Sequence, residues 1–71
     1  MFLEYHAYIL QSEVDGSYYV GYTHDVRLRL EHHNDGWTPP TKAKRPWKVV
    51  RVETFATKAA SIKREREIKR M

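Results

Sequence analysis

The sequence contains no cysteine, so neither a disulfide bond nor a thiolate zinc site can stabilise the fold. No apolar run approaches the roughly 20 residues that a membrane-spanning helix needs, and Met1–Glu4 lacks the charged-then-apolar pattern of a secretory signal. The 71 residues leave room for one core, which supplies only about 3–5 kcal/mol of stability at this size. We therefore expect one soluble, cytoplasmic domain over residues 1–71, with no membrane partner and with the redox compartment left open.

Acidic residues are scarce in the second half of the chain. Residues 1–41 hold two basic residues against six acidic ones, whereas residues 42–71 hold eleven basic residues against three acidic ones, within a net charge of +4. A basic surface of this kind favours nucleic acid, with an affinity that falls as salt rises because bound counterions are released. A lysine-rich solubilising face is the alternative interpretation of the same charges.

Two strands are predicted at the start of the chain. Tyr5–Gln11 and Tyr18–Tyr22 are rich in aromatic and β-branched residues, and Asp15-Gly16 between them suits a tight turn. The resulting hairpin is expected to place Tyr8 and Tyr19 on one face. Gly21, near the end of the second strand, predicts either a simple bend or a close approach by backbone or ligand.

A helix is predicted to begin near Asp25 and to end at Asn34-Asp35-Gly36. Val26 and Leu30 are its apolar pair at i and i+4, but Arg29 and His33 occupy the same stripe. A guanidinium held towards the inside needs an anionic partner, because an unpaired buried charge is costly. The partner would come from the fold or from a ligand.

The rest of the chain completes a small α+β fold. Residues 37–45 are predicted to form a loop, because Pro39 and Pro40 disfavour helix, and Trp47–Phe55 is predicted to be a third strand. Thr57 is the expected cap of a last helix. The predicted order is β-β-α-β-α: a three-stranded antiparallel sheet flanked by helices.

The last helix carries an acidic residue on its apolar side. At about 100° per residue, Ile62, Glu65 and Ile68 fall on one side of the helix. A carboxylate within an apolar stripe is usually paired with a buried cation or coordinates a metal. One structural alternative is a buried ion pair between Glu65 and Arg29 in a protein-interaction domain.

These unusual residues together provide the groups that phosphodiester hydrolysis requires. A carboxylate can hold a hard cation, an arginine can neutralise the pentavalent phosphate, and a phenol or imidazole can take a proton from water. A single carboxylate suits Mg²⁺, which keeps most of its waters, and suits zinc poorly. The remaining histidines, His6, His24 and His32, are expected to be surface or packing residues.

Several of these residues together resemble the motifs of a known family. Tyr8, the run Tyr19-Val20-Gly21, then Arg29, His33 and Glu65 are similar in type and order to the motifs of the GIY-YIG nucleases, over about residues 5–70. The match is closest to the small single-domain bacterial branch, similar to the nuclease domain of excinuclease C of excision repair. Where the first motif of the family has Gly-Ile-Tyr, this chain has His6-Ala7-Tyr8 and keeps only the tyrosine.

The resemblance implies an endonuclease that uses Mg²⁺ or Mn²⁺, without an organic cofactor, to hydrolyse DNA in repair or recombination, with structured, damaged or single-stranded DNA as the expected substrate. It implies that Tyr19 is the general base and that Tyr8 positions water or phosphate. Arg29 would stabilise the transition state, Glu65 would hold the metal, and His33 would carry a proton or contact phosphate.

Two interpretations of the function therefore stand side by side. The first is the metal-dependent endonuclease, and the second is a catalytically weak or inactive nucleic-acid-binding module with the same fold. In both, DNA is the partner, and the residues expected to contact it are basic side chains of the second half: Lys42, Lys44, Arg45, Lys63, Arg66 and Lys69.

Overall fold

Three antiparallel strands form one sheet, in which β1 (Tyr5–Ser12) lies between β2 (Tyr18–Thr23) and β3 (Trp47–Phe55). The computed structural model describes residues 4–71; the first three residues of the predicted domain, on which part of the signal-sequence argument rests, lie outside the described residues. The helices are α1 (Val26–Asn34), α2 (Pro39–Lys42) and α3 (Lys58–Lys69). The predicted α+β class and antiparallel sheet are confirmed, with one additional short helix.

The strand register decides which side chains share a face of the sheet. Tyr8 lies opposite Gly21 of β2, and Leu10 lies opposite Tyr19. Directly opposed residues of an antiparallel pair point to the same face. Tyr8 and Tyr19 therefore share a face as predicted, and their ring centroids are 6.5 Å apart.

Side-chain caps fix the ends of the two longer helices. The Asp25 carboxylate accepts a hydrogen bond from the Leu28 backbone N–H at 3.0 Å, and the Thr57 hydroxyl accepts one from Ala60 N–H at 3.2 Å. These bonds satisfy donors that the first turn of a helix leaves without partners. After α1 the chain passes through Gly36, whose φ of +80° suits a residue without a side chain.

The prediction that residues 37–45 form a plain loop was wrong at α2. Pro39 and Pro40 are the first residues of this one-turn helix and not interior ones. The first turn does not need the N–H that proline lacks, and the fixed φ of proline matches helix geometry there. The short helix places Thr41 against α1.

The two longer helices cover opposite faces of the sheet. On the face of α1, Tyr8, Leu10 and Trp47 are buried, with Val26 and Leu30 of the helix packed against them. On the other face, Arg64 of α3 donates a hydrogen bond from Nε to the Glu53 carboxylate at 3.0 Å. None of the helices between residues 4 and 71 is long and apolar enough to cross a membrane.

Candidate active site

A cleft of about 690 Å³ lies at the sheet edge formed by β2. Arg29 of α1 and Glu65 of α3 both line it, so the edge strand is the place where side chains from the two faces of the sheet meet. Tyr8 and Tyr19 also line it, so four of the five predicted catalytic residues meet in this cleft. The other lining residues are Tyr5, Lys58, Lys69 and residues 20–24.

Gly21 allows the Tyr8 ring to approach β2. A Cβ atom at position 21 would lie 2.6 Å from the Tyr8 hydroxyl oxygen and 2.7 Å from the ring carbon that bears it. Both distances are shorter than van der Waals contact. Of the two interpretations of Gly21 from the sequence, the structure supports close approach, made by a side chain of the site itself.

The hydroxyl of Tyr8 belongs to a buried chain of hydrogen bonds. Its oxygen lies 3.3 Å from Nε2 of His33, and Nδ1 of His33 lies 2.8 Å from the hydroxyl of Thr41. Thr41 donates its one hydroxyl hydrogen to the carbonyl of Thr38 at 3.1 Å, so it accepts from His33. This network assigns the Nδ1–H tautomer to His33 and makes Tyr8 the donor to Nε2.

Burial sets the charge state of this chain. Desolvation lowers the pKa of His33, and the Arg29 guanidinium lowers it further. Desolvation also raises the pKa of Tyr8, although Arg29 opposes that shift. Near neutral pH the imidazole and the phenol are therefore both uncharged, as the hydrogen-bond assignment requires.

His33 occupies a different place from the one expected of a cleft residue. It is fully buried behind Tyr8, with its ring centroid 4.7 Å from that of Tyr19. Both ring nitrogens have partners within the fold. This geometry does not favour the expected contact of His33 with phosphate, because a neutral imidazole with both nitrogens engaged offers no donor to the cleft. The expected role of His33 as a proton carrier stays a prediction.

Arg29 carries a buried polar atom without a hydrogen-bond partner among the described residues. Its Nε is buried and makes no hydrogen bond within residues 4–71. The nearby hydroxyl of Tyr8 raises the pKa of Arg29, which keeps the guanidinium protonated. A buried donor without a partner costs about 1–3 kcal/mol, and more when it is charged. An anion in the cleft would supply the missing acceptor.

Glu65 is mostly buried but lies against the cleft. Its side chain is 12 % exposed, and its Oε1 accepts a hydrogen bond from Nζ of Lys69 at 2.7 Å. The alternative of an ion pair with Arg29 is wrong, because the salt bridge that Glu65 makes within the described part of the chain is to Lys69. Glu65 and Lys69 are four residues apart, which is the spacing of neighbours along one face of a helix.

The donor set fits magnesium better than zinc. Residues 4–71 contain no group of three or more His, Cys, Asp or Glu side chains that could hold a metal ion. A lone carboxylate beside a water-accessible cleft matches Mg²⁺, which keeps several waters and takes oxygens from substrate phosphate. Glu65 is therefore the residue that would hold it.

The predicted DNA-contacting residues separate into distinct places. Lys69 lines the cleft, whereas Lys63 and Arg66 are exposed on α3. Lys44 lies at the far end of β1, where its carbonyl accepts a hydrogen bond from Ser12 and its Nζ is 3.5 Å from Asp15. Lys42 and Arg45, which are close to Lys44 in the sequence and belong to the same predicted set, are exposed to solvent.

Three residues of the site were missed by the sequence reasoning. Lys58 lines the cleft, and its spacing of seven residues from Glu65 places both on one side of α3, so helical periodicity could have identified it. His24 also lines the cleft, although it was expected to be a surface or packing residue. Thr41 orients His33 from a separate helix, and nothing in the local sequence indicates that contact.

Comparison with known proteins gives a consistent result. The model of the GIY-YIG catalytic domain family matches residues 4–71. UPF0213 proteins of Staphylococcus epidermidis and Staphylococcus aureus are 48 % identical to the chain over 56 residues, which is 78 % of this chain and 68 % of each relative. The solution NMR structure of a UPF0213 protein from Bacillus halodurans superposes with a TM-score of 0.58 at 33 % identity, covering 96 % of this chain and 72 % of that one.

Proposed function

The chain belongs to the GIY-YIG catalytic domain family, and from that premise we propose that it is an endonuclease that hydrolyses DNA phosphodiester bonds with a divalent metal ion. The observation that carries the proposal is the unpartnered Nε of Arg29 in a cleft that is also lined by Glu65, Tyr8 and Tyr19. A phosphate would satisfy that donor, and the surrounding groups are those that attack on a phosphate needs. The proposed substrates are structured, damaged or single-stranded DNA in repair or recombination.

We assign Arg29 to the phosphate. Its charge is held on the protein by the raised pKa, and no carboxylate within residues 4–71 neutralises it through a salt bridge. A cation fixed before the reaction begins stabilises negative charge as it develops on the phosphate oxygens. The planar guanidinium also fits two phosphate oxygens at once, which a lysine cannot do.

The two tyrosines have different proposed tasks. Tyr8 gives its hydrogen to His33 and has a raised pKa, so it remains a neutral phenol whose oxygen can accept a hydrogen bond from water. Tyr19 is only partly buried, lines the cleft and has no such acceptor fixing its hydroxyl among residues 4–71. We assign Tyr19 as the base towards water and Tyr8 as the group that positions the water, with His33 and Thr41 orienting Tyr8.

Glu65 would hold the metal, and the bound ion would neutralise charge on the phosphate and favour ionisation of water. The Lys69 ammonium, 53 % exposed on a flexible stem, now occupies one oxygen of that carboxylate. It can turn towards a phosphate of the substrate and release the oxygen. GIY-YIG nucleases generally use divalent metals, which agrees with this single-carboxylate arrangement.

The same ion pair favours a second candidate function. If Lys69 stays on Glu65, the cleft keeps its affinity for phosphate through Arg29 and Lys58 but loses its metal ligand. The chain would then be a DNA-binding module that cleaves weakly or not at all.

A cleavage assay distinguishes the two functions. Plasmid and oligonucleotide DNA are incubated with the protein in Mg²⁺, in Mn²⁺ and in EDTA. We expect cleavage only with metal, a loss of roughly 10²-fold or more in turnover for Arg29→Ala, and partial recovery for Arg29→Lys. Arg27→Ala, which removes an exposed cation from the same helix, is the matched control and should keep its turnover. Cleavage that persists in EDTA, or a fully active Arg29→Ala variant, would contradict the proposal.

A further inference from the structure

An exposed tryptophan lies just beyond the end of α1. Trp37 is 68 % exposed, although indole is among the side chains with the most apolar surface to bury. Its ring is stacked on the imidazole of His32, with centroids 4.2 Å apart and planes 7° from parallel. The backbone N–H of Trp37 also donates to the carbonyl of His32 at 3.0 Å. The indole thus rests with one face on His32 and with most of its surface open to solvent.

Two cations lie beside this stacked pair. Gly36 precedes Trp37, and a Cβ atom at Gly36 would lie 2.5 Å from Nη1 of Arg45 and 3.3 Å from Cγ of Lys42. The absence of a side chain at Gly36 therefore lets both basic side chains come close to the segment that carries the indole. Residues 36–48 contain four cations and no acid. Lys44 is paired with Asp15, but Lys42 and Arg45 make no salt bridge within residues 4–71, so these two can meet a polyanion.

One member of the stacked pair, His32, lies on the same helix as the cleft residue Arg29. His32 follows Arg29 by three residues in α1, and side chains at that spacing are neighbours on one side of a helix, about 5–6 Å apart at Cβ. A DNA strand that places a phosphate on Arg29 and runs towards the C-terminal end of α1 would carry its adjoining nucleotides past His32 and Trp37.

We propose that Trp37, held by His32, is a stacking site for an unpaired base of the DNA strand that enters the cleft, with Lys42 and Arg45 contacting neighbouring phosphates. The proposal rests on the proposed function for its choice of DNA as the ligand. Aromatic side chains in basic grooves bind single strands in this way, because every base has a face that can stack. A paired base inside a duplex has both faces occupied, so the site selects single-stranded or locally unpaired substrate.

The test measures binding in EDTA, so that cleavage is not required. Fluorescently labelled single strands, blunt duplexes of the same length and single strands that carry abasic sites are titrated by anisotropy. Wild-type protein is compared with Trp37→Ala, Trp37→Phe and Tyr18→Ala; Tyr18 is 66 % exposed at the start of β2 and serves as the matched control. Thermal melts check that each variant is folded.

Trp37→Ala should bind the normal single strand roughly 5- to 150-fold more weakly, the range that one base–aromatic stack provides. Trp37→Phe should lose less, and Tyr18→Ala and all duplex affinities should change less than about twofold. The abasic strand should bind wild type and Trp37→Ala equally, because it keeps the phosphates and lacks the base. Equal affinity of wild type and Trp37→Ala for the normal strand would overturn the stacking site.

Other outcomes separate this proposal from the proposed function. A chain whose Trp37→Ala variant behaves as expected here, but which cleaves nothing in Mg²⁺ or Mn²⁺, would refute the endonuclease and leave the stacking site standing. A wild-type chain that cleaves with metal and binds single strands no better than duplexes would retain the nuclease and overturn the stacking site.

Discussion

Replacing Gly21 with alanine perturbs the contact that positions Tyr8 against the edge strand. The added methyl group would lie 2.6 Å from the Tyr8 hydroxyl oxygen and 2.7 Å from the adjoining ring carbon. Ordinary contacts between such atoms are about 3.5–4.0 Å, so the ring must withdraw by about 1 Å. It cannot do so freely, because Tyr8 is 1 % exposed and its hydroxyl is tied to His33.

The size of the effect follows from overpacking. Forcing a methyl group into a packed site costs about 1–3 kcal/mol, and in a domain of this length each 1 kcal/mol corresponds to roughly 4–8 °C in melting temperature. We expect Gly21→Ala to melt roughly 5–20 °C below wild type. Because a displacement of about 1 Å in a catalytic group can reduce the rate on the order of 10²-fold, turnover should fall even where the variant is fully folded.

We would measure thermal melts, and single-turnover cleavage at a temperature at which all variants are folded. Gly16→Ala is the matched control: Gly16 has a φ of +77°, and the nearest atom to an added Cβ is Gln11 Nε2 at 3.8 Å. Its cost is backbone strain of about 1–2 kcal/mol, far from the cleft, so stability should fall while turnover is kept. A Gly21→Ala variant with the melting temperature and turnover of wild type would refute the account of Tyr8.

Further predictions concern buried and paired groups. Thr41→Val should cost about 1–3 kcal/mol by leaving Nδ1 of buried His33 without an acceptor, and NMR of the imidazole nitrogens should show a changed tautomer. Burial lowers the pKa of His33 below 6.5 in the folded protein. The stability that His33 contributes is therefore full above about pH 6.5 and is lost as the pH falls through the lower pKa of the folded state. The melting temperature of His33→Gln should depend less on pH in that window. Arg64 holds the pKa of Glu53 below its ordinary 4.5. The stability from this ion pair is therefore present above about pH 4.5 and is lost as the pH falls through the lowered pKa. The melting temperature of Glu53→Gln should change less with pH in that range, and the same pH dependence as wild type would count against the pair.

The strands and longer helices could be predicted from the sequence because their signals are local. Strand β3 begins and ends at the predicted residues, Trp47 and Phe55. Its aromatic and β-branched residues are bounded by Pro46 on one side and by a capping threonine on the other. Thr57 is the cap that was predicted, and Asp25 caps the helix that was predicted to begin near it, because a side-chain acceptor for the first turn depends only on neighbouring residues. Helix α2 was missed since proline disfavours the interior of a helix but suits its first turn.

The sequence indicated which residues turn inward, but it did not indicate the contacts that they make. Arg29 and Glu65 interrupt apolar stripes, and that pattern indicates an inward position, which the structure shows for both at the cleft. Periodicity does not distinguish a residue facing a cleft from one buried behind it, and His33 proved to be the second kind. The contact from Thr41 and the stacking of Trp37 on His32 depend on how the chain turns after α1, which the local sequence does not specify.

Replacing the carboxylate of Glu65 tests whether this cleft hydrolyses DNA with a metal ion. Single-turnover cleavage across a Mg²⁺ titration is compared for wild type, Glu65→Gln and Glu67→Gln; Glu67 is exposed on the same helix, 3.5 Å from Arg64, and its variant controls for the loss of one acid. We expect Glu65→Gln to remain folded and to bind DNA but to show no metal-dependent cleavage, while Glu67→Gln should cleave like wild type. Glu65→Gln that cleaves at the wild-type rate with the same Mg²⁺ dependence would contradict that expectation.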